Sequence, residues 1–273
     1  MTAKSTPSRI LVFIPTYRCE TQITRVLDQF DGHTQSLIDT VMIVDNRSPD
    51  RTLETAIEFA AQRLTGCRFI AWRNTDNYGL GGSHKAAFRF AIERGFDTLV
   101  VLHGDDQADI SDLVPLLEAG LHLQTDCLLG ARFMPGSRLL GYSRFRTFGN
   151  HVYNLLFSLV AMQRVYDLGS GLNVYRLAAF RDFYYKTFPD DLTFNYIMLL
   201  GSYQRLQSVR FFPISWREED QRSNVKLFQQ AIKVLRLLGG FALRRSQFLA
   251  GELRARSFDT YPGKVVVEQM PNT

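Results

Sequence analysis

Short, near-continuous apolar runs recur through the first half of the chain, each followed by a segment with helical spacing. "RILVFIPTY" (9–17), "DTVMIVD" (39–45), "CRFIAWRN" (67–74) and "DTLVVLHGDD" (97–106) read as strands. Their lack of polar alternation predicts burial on both faces. Between them, "ETQITRVLDQF" sets Ile23, Val26, Leu27 and Phe30 on one helical stripe, and "SPDRTLETAIEFAAQRL" predicts a second helix with Ser48 as N-cap and Pro49 at its first position. "GGSHKAAFRFAIERG" (81–95) predicts a third helix stopped by Gly95, and "DISDLVPLLEAGL" a fourth. Strand–helix units of about 30 residues predict an α/β protein with a mostly parallel sheet covered by helices. Ligands of such sheets bind outside the carboxyl ends of the strands.

The polar residues leaving these strands are "PTYR", "DNRSPD", "RNTDNYGLGG" and "HGDDQ". A carboxylate on a strand tip is rigidly mounted and suits a hard cation or a ribose. The same residues also suit turns and caps, with Asp109 or Ser111 opening the next helix. Asp45, Asp105 and Asp106 around a glycine-rich turn favour a nucleotide site over a set of unrelated turns.

A chain of 273 residues, 45% hydrophobic and 22% charged, suits one large soluble domain. The start shows no secretory apolar region, and no run approaches the ~20 apolar residues of a membrane span. The longest run, "VYNLLFSLVAM" (152–162), is expected as a core helix. Cys19, Cys67 and Cys127 have no metal-type spacing, which predicts a reduced, cytoplasmic setting. The net charge of +5 is uneven: residues 222–256 carry eight Lys or Arg against Glu252 alone. On a helix from Lys226, Lys233 and Arg244 share one face, opposite Phe228, Ala231, Leu235, Leu238 and Ala242, with a bend expected at Gly239-Gly240. Contact with an anionic membrane surface is the preferred reading of this segment, and packing on the core the alternative. "GSRLLGYSRFRTFGNHVYNLLFSLV" (136–160) also mixes arginines with apolar residues, as a phospholipid-acceptor surface would. Nucleic acid is not expected as a partner.

The segments "PTYRCE", "VDNRSPDRT", "NYGLGGSHKAAFRFAI" and "HGDDQAD", with "DLGSGLNVYR" (167–176) and "PISWREEDQRSNVK" (213–226), resemble family 2 glycosyltransferases of the GT-A fold. The nearest subgroup is the dolichyl- and polyprenyl-phosphate mannose or glucose synthases. The resemblance implies one GT-A domain over 1–256, with a nucleotide-sugar half at 9–130, an acceptor half at 131–240 and basic amphipathic helices at 225–256; a tail occupies 257–273. It implies inverting transfer of a hexose from a nucleoside-diphosphate sugar to a polyprenyl-phosphate-type lipid, at the inner face of the membrane. A hydroxyl of a growing glycan or small metabolite is the alternative acceptor. A non-catalytic nucleotide-sugar-binding protein is the alternative class, and homo-oligomerisation stays open.

By the same resemblance, Asp45 accepts from the base or ribose, and Pro15, Thr16 and Tyr17 wall the base. Asn77, Gly79 and Gly81 precede a helix whose free N–H groups favour an anion, with Lys85 one turn in, facing either diphosphate or solvent. His103-Gly104-Asp105 stands where the family carries Asp-x-Asp, so Asp105, with His103 or Asp106, is expected to hold Mg²⁺ or Mn²⁺, followed by Gln107. Asp167 is the expected sugar contact or catalytic carboxylate, with Ser170, Gly171 and Arg176 nearby in sequence. Arg217, Arg222, Ser223 and Lys226 are expected to close on the diphosphate. A hydroxyl acceptor would need a general base, for which Asp190, Asp191 and the 218–220 acids are the spare candidates.

Overall fold

The computed structural model describes residues 8–218 and 227–272. The four apolar runs form β1 (Ile10–Thr16), β2 (Thr40–Asp45), β3 (Arg68–Asn74) and β4 (Thr98–Leu102), all mutually parallel: β1 pairs with β2 and β4, and β2 with β3. Between β1 and β2 lie α1 (Ile23–Asp28) and α2 (Gly32–Ser36). The crossovers α3 (Thr52–Arg63) and α4 (Gly79–Glu93) return the chain to the sheet, and α5 (Val114–Glu118) follows β4. Then come β5 (Cys127–Ala131), the short β6 (Arg138–Leu140), α6 (Arg144–Ala161), β7 (Leu172–Arg176) and α7 (Phe194–Gln204). The chain closes with β8 (Val209–Pro213), β9 (Ser215–Arg217), α8 (Leu227–Leu243), α9 (Arg245–Ala250) and β10 (Gly263–Gln269).

The eight-stranded sheet runs β10–β3–β2–β1–β4–β7–β5–β8, with β7 and β10 antiparallel to their neighbours. β6 and β9 pair separately. Alternate residues of one strand serve two cores, which is why the strands lack polar positions. Leu11, Phe13, Met42 and Val44 pack with Phe88 of α4 and Ile197 and Met198 of α7. Ile10, Val12, Ile14, Val41 and Ile43 pack with Val26 of α1 and Leu53 and Ala56 of α3.

Several local expectations shift. α3 starts at Thr52 rather than after Ser48, because Asp50 accepts from the Thr52 N–H and, at 2.6 Å, from its hydroxyl. Ser48 instead accepts from the Arg18 N–H at 3.2 Å. α4 begins at Gly79, two residues early. The helix expected after β4 splits into a 3₁₀ turn, Ile110–Asp112, capped by Asp109 through the Ser111 N–H, and α5 with Pro115 in its first turn. α8 runs straight through Gly239-Gly240, and the break falls at Arg244. Its buried face is Val234, Leu238 and Phe241, while Leu235 and Ala242 face outwards. The core helix expected at 152–162 is half right: α6 buries Asn154 and Phe157, but exposes Val152, Leu155 and Leu159, and the Met162 that caps it is exposed too. Residues past 256 contribute β10, which covers the β3 edge that would otherwise stay unpaired. No helix among the described residues is long and apolar enough to cross a membrane.

Candidate active site

The sheet order reverses direction between β1 and β4, and a cleft of about 1310 Å³ opens at their carboxyl ends. The two exits are clasped together: the Gly104 N–H donates to the Pro15 carbonyl at 3.2 Å, and a Cβ at Gly104 would lie 2.7 Å from Thr16 Cγ2. A side chain there would force the strands apart. On the other side the His103 N–H donates to the Gly171 carbonyl at 2.9 Å. Tyr17, His103, Asp105 and Gln107 thereby reach the cleft wall.

The acids after β4 have opposite fates. Asp105 faces the cleft, and burial pushes its carboxyl up to about 6, with neighbouring Asp106 adding to the rise and the Gln107 N–H opposing it. A carboxylate so perturbed in a cleft is a functional-site signal. Asp106 has φ 59° and turns underneath, 3% exposed, where Arg25 Nε (2.7 Å) and Gln29 Nε2 (3.1 Å) hold it from α1. It is therefore committed away from Asp105. His103 lines the cleft with its Nε2 buried and without a hydrogen-bond partner, and burial, then Arg132, lowers the imidazole to about 4, so the ring is neutral. Among the described residues no three His, Cys, Asp or Glu gather as a metal cluster. A divalent ion held by one carboxylate plus substrate phosphate oxygens is still an ordinary Mg²⁺ arrangement, and Asp105 fits that role.

The glycines opening α4 serve packing. The Gly81 and Gly82 N–H groups donate to the Asp190 carbonyl at 2.7 and 3.3 Å, and the Gly79 N–H to Asn77 Oδ1 at 3.0 Å. A Cβ on Gly79 or Gly81 would lie 2.4 Å from a carbonyl oxygen of the 189–190 turn. The helix end that sequence suggested for an anion is already satisfied by protein. Lys85 faces neither diphosphate nor solvent: 4% exposed, its Nζ donates to the Phe188 carbonyl (2.5 Å), Asp190 Oδ1 (2.6 Å) and the Tyr261 hydroxyl (3.2 Å). Burial lowers its amine to about 8, against the pull of Asp190.

Other expected residues also support the cleft from behind. Asp45 is fully buried, taken by Arg73 Nε at 2.9 Å and the Ser48 N–H at 3.0 Å. Pro15 and Thr16 are buried, the Thr16 hydroxyl donating to the Val44 carbonyl. Asp167 binds Arg132 through both oxygens, at 2.7 and 2.8 Å, and accepts from the Arg132 N–H at 2.9 Å. Arg132 rather than Asp167 lines the cleft, and although burial opposes its charge, Asp167 holds the guanidinium above its usual value. Ser170 is buried, and Arg176 pairs with Asp126 at the opposite end of β7. Arg217 donates to Asp109 at 3.2 Å. Arg222, Ser223 and Lys226 lie outside the described residues.

Arg18, Arg132 and Trp216, which sequence did not single out, complete the wall with Phe145 and Arg146 of α6, from the 136–160 segment expected to face a phospholipid acceptor. Arg146 donates to both Glu218 oxygens, at 2.6 and 2.7 Å. Arg132 carries the same signal as the other strand ends, a polar residue straight after the apolar "CLLGA" of β5.

Fold and cleft together define an α/β enzyme whose site opens at the carboxyl ends of its parallel strands. The chain belongs to glycosyl transferase family 2, whose model matches residues 11–187. It is a family 2 glycosyltransferase with the GT-A fold. It is 30% identical to an undecaprenyl-phosphate mannosyltransferase of Micrococcus luteus, over 63% of this chain and 68% of that protein. It is 27% identical to a dolichol-phosphate mannosyltransferase of Pyrococcus furiosus, over 50% of this chain but 37% of that longer protein. Among solved structures it is similar to glucosyl-3-phosphoglycerate synthase of Mycobacterium tuberculosis in complex with Mn²⁺, UDP-glucose and glycerol 3-phosphate. That likeness has a TM-score of 0.58 at 16% identity, covering 87% of this chain and 80% of that one.

Proposed function

We propose that the protein transfers a hexosyl group from a nucleoside-diphosphate sugar to a polyprenyl phosphate, with inversion at the anomeric carbon. One observation carries the acceptor class: the cleft runs from Asp105 at the strand ends to Phe145 and Arg146 of α6, and Phe145 is 79% exposed at its mouth. A phosphate among Arg18, Arg132 and Arg146 with an apolar tail leaving past Phe145 suits that path. The mannosyltransferases of Micrococcus luteus and Pyrococcus furiosus, named for lipid-phosphate acceptors, support it.

The carboxylates of the acceptor half favour a phosphate over a hydroxyl acceptor. A hydroxyl needs a base, whereas a phosphate is already an anion. Asp190 is paired with Lys85 and Tyr261, Asp191 with Lys233 and Thr193, and Glu218 with Arg146. The spare acids suggested by sequence are thus engaged, apart from 219 and 220, which lie outside the described residues. In the proposed reaction a phosphate oxygen attacks the anomeric carbon as its bond to the β-phosphate oxygen breaks, and the nucleoside diphosphate departs with the electron pair. Mg²⁺ or Mn²⁺ at Asp105 would supply Lewis-acid neutralisation of that leaving group. Arg132, fixed by Asp167, holds positive charge at the cleft wall throughout.

The test is a labelled panel of GDP-, UDP- and dTDP-hexoses against polyprenyl phosphate in detergent and against sugar hydroxyls. The expected product is an acid-labile lipid-linked sugar. Transfer to hydroxyls alone would reject the acceptor, and no turnover of any donor would reject the reaction.

A further inference from the structure

The outer face of α6 is built for an apolar phase. Phe145, Phe148, Val152, Leu155 and Leu159 follow one another at intervals of three or four residues, so they form one stripe along the helix, and Met162, the residue that ends it, stands exposed just beyond. Their exposures are 79, 68, 41, 59, 66 and 77%. Six such side chains together exceed the scattered apolar residues usual on a protein surface.

α8 lies beside this helix. Gln230, Ala231 and Val234 of α8 line the same cleft as Arg146, Asn150 and Tyr153 of α6, and Arg245 donates to the Val160 carbonyl at 2.7 Å. α8 adds exposed Leu235 and Leu243, and Arg144, Arg164, Arg236 and Arg244 are exposed around the two helices. None of α6, α8 or α9 contains an aspartate or glutamate.

We infer that the α6 stripe, with the outer edge of α8, is the surface that docks the enzyme on a bilayer containing anionic lipid. Charge decides the occupant. A second copy brought helix to helix against this face would set arginines against arginines, with no carboxylate on α6, α8 or α9 to answer them. Anionic headgroups supply the missing complement, and the apolar stripe enters the acyl boundary. This relocates the membrane contact expected of 225–256: the Leu238 side of α8 is core, Lys233 is tied to Asp191, and α6 supplies the apolar surface. Docking would bring the cleft mouth at Phe145 to the headgroup layer, a consequence that rests on the lipid-phosphate reading. The docking itself does not.

Flotation of the full chain with phosphatidylcholine vesicles, with and without phosphatidylglycerol, tests the surface in the absence of donor and acceptor. The wild type is expected to float with the anionic vesicles at low salt and to be partly released by added salt. Leu155→Glu/Leu159→Glu, away from the cleft, should weaken vesicle partitioning at least ~100-fold at an unchanged melting temperature. Arg144→Glu/Arg236→Glu should weaken binding at least ~10-fold on anionic vesicles alone, and keeps the test open if the leucine variant fails to fold. A wild type that stays soluble with anionic vesicles at low salt overturns the inference. So does a leucine variant that only dissociates a dimer, which would assign the stripe to self-association. Detergent assays of acceptor choice need no vesicle, so failure here is distinct from failure of the proposed reaction.

Discussion

Replacing Asp105 by Asn should stabilise the protein at neutral pH while disabling it. The carboxyl is pushed from an ordinary value of 3.8 to about 6, chiefly by burial. The folded chain therefore holds this proton over a range where the unfolded chain has lost it. The stability contributed by the protonated form is complete below about pH 4 and is lost as pH rises through 6. A rise of about two units corresponds to about 3 kcal/mol, an upper bound for a half-buried group. Asn keeps the neutral form at every pH. Its advantage should be absent near pH 4, grow up to pH 6 and then level off, reaching several degrees in Tm at roughly 2–4 °C per kcal/mol for a chain near this size. Thermal melts of both proteins in chelator between pH 4 and 8 measure this. Adding Mn²⁺ and nucleoside diphosphate should raise the wild-type Tm and leave the variant nearly unmoved, with kcat lowered at least ~100-fold. A variant that melts with or below the wild type throughout pH 5–8 would refute the reasoning, because burial would then not be straining this carboxylate.

Three further outcomes follow from the supporting residues. Lys85→Met strands the buried side of Asp190 and should cost about 3 kcal/mol in thermal melts while donor KM stays put; a raised KM at an unchanged Tm would instead put Nζ on the diphosphate. Gly81→Ala sets a Cβ 2.4 Å from the Pro189 carbonyl and 2.7 Å from Phe194 Cβ, and should lose ~2 kcal/mol or more by denaturant titration. Asp167→Ala leaves the Arg132 guanidinium buried and unpaired, for about 3–5 kcal/mol, whereas Arg205→Ala, which breaks an exposed pair with Asp182, should stay within about 1 kcal/mol; equal effects would contradict the burial argument.

The parallel half of the sheet was legible because burial on both faces leaves a mark in sequence, and β1 to β4 carry it without a polar interruption. Tip residues were legible for the same reason, since whatever follows such a strand emerges at the ligand edge. What each tip residue faces was not legible. Asp105 and Asp106 are chemically identical neighbours, and they separate because Arg25 and Gln29, 81 and 77 positions away, capture one of them. Glycine was ambiguous in another way. A helix start that cradles a phosphate and one that receives the 189–190 turn both exclude a Cβ, and here the turn is present. In α6 the apolar run hid two stripes, one packed and one open, because periodicity reports that a face is apolar and not what covers it.

The charges of the cleft constrain how it selects a ligand. Arg132 is matched by Asp167 and Arg146 by Glu218. These pairs differ in what an incoming phosphate meets. Arg132 is held by a carboxylate 1% exposed, and keeps this partner while it lines the cleft. Arg146 and Glu218 are 31 and 21% exposed and both line the cleft, so a phosphate dianion competes with Glu218 for the same guanidinium. Removing that competitor should therefore tighten the acceptor site, where removing Asp167 should collapse it. Glu218→Gln is expected to lower KM for the phosphate acceptor, by up to ~5-fold for one exposed charge–charge competition of at most about 1 kcal/mol. Donor KM should not change. If acceptor KM rises instead, Glu218 orients Arg146 rather than opposing the ligand, and the acceptor phosphate must sit elsewhere along the wall.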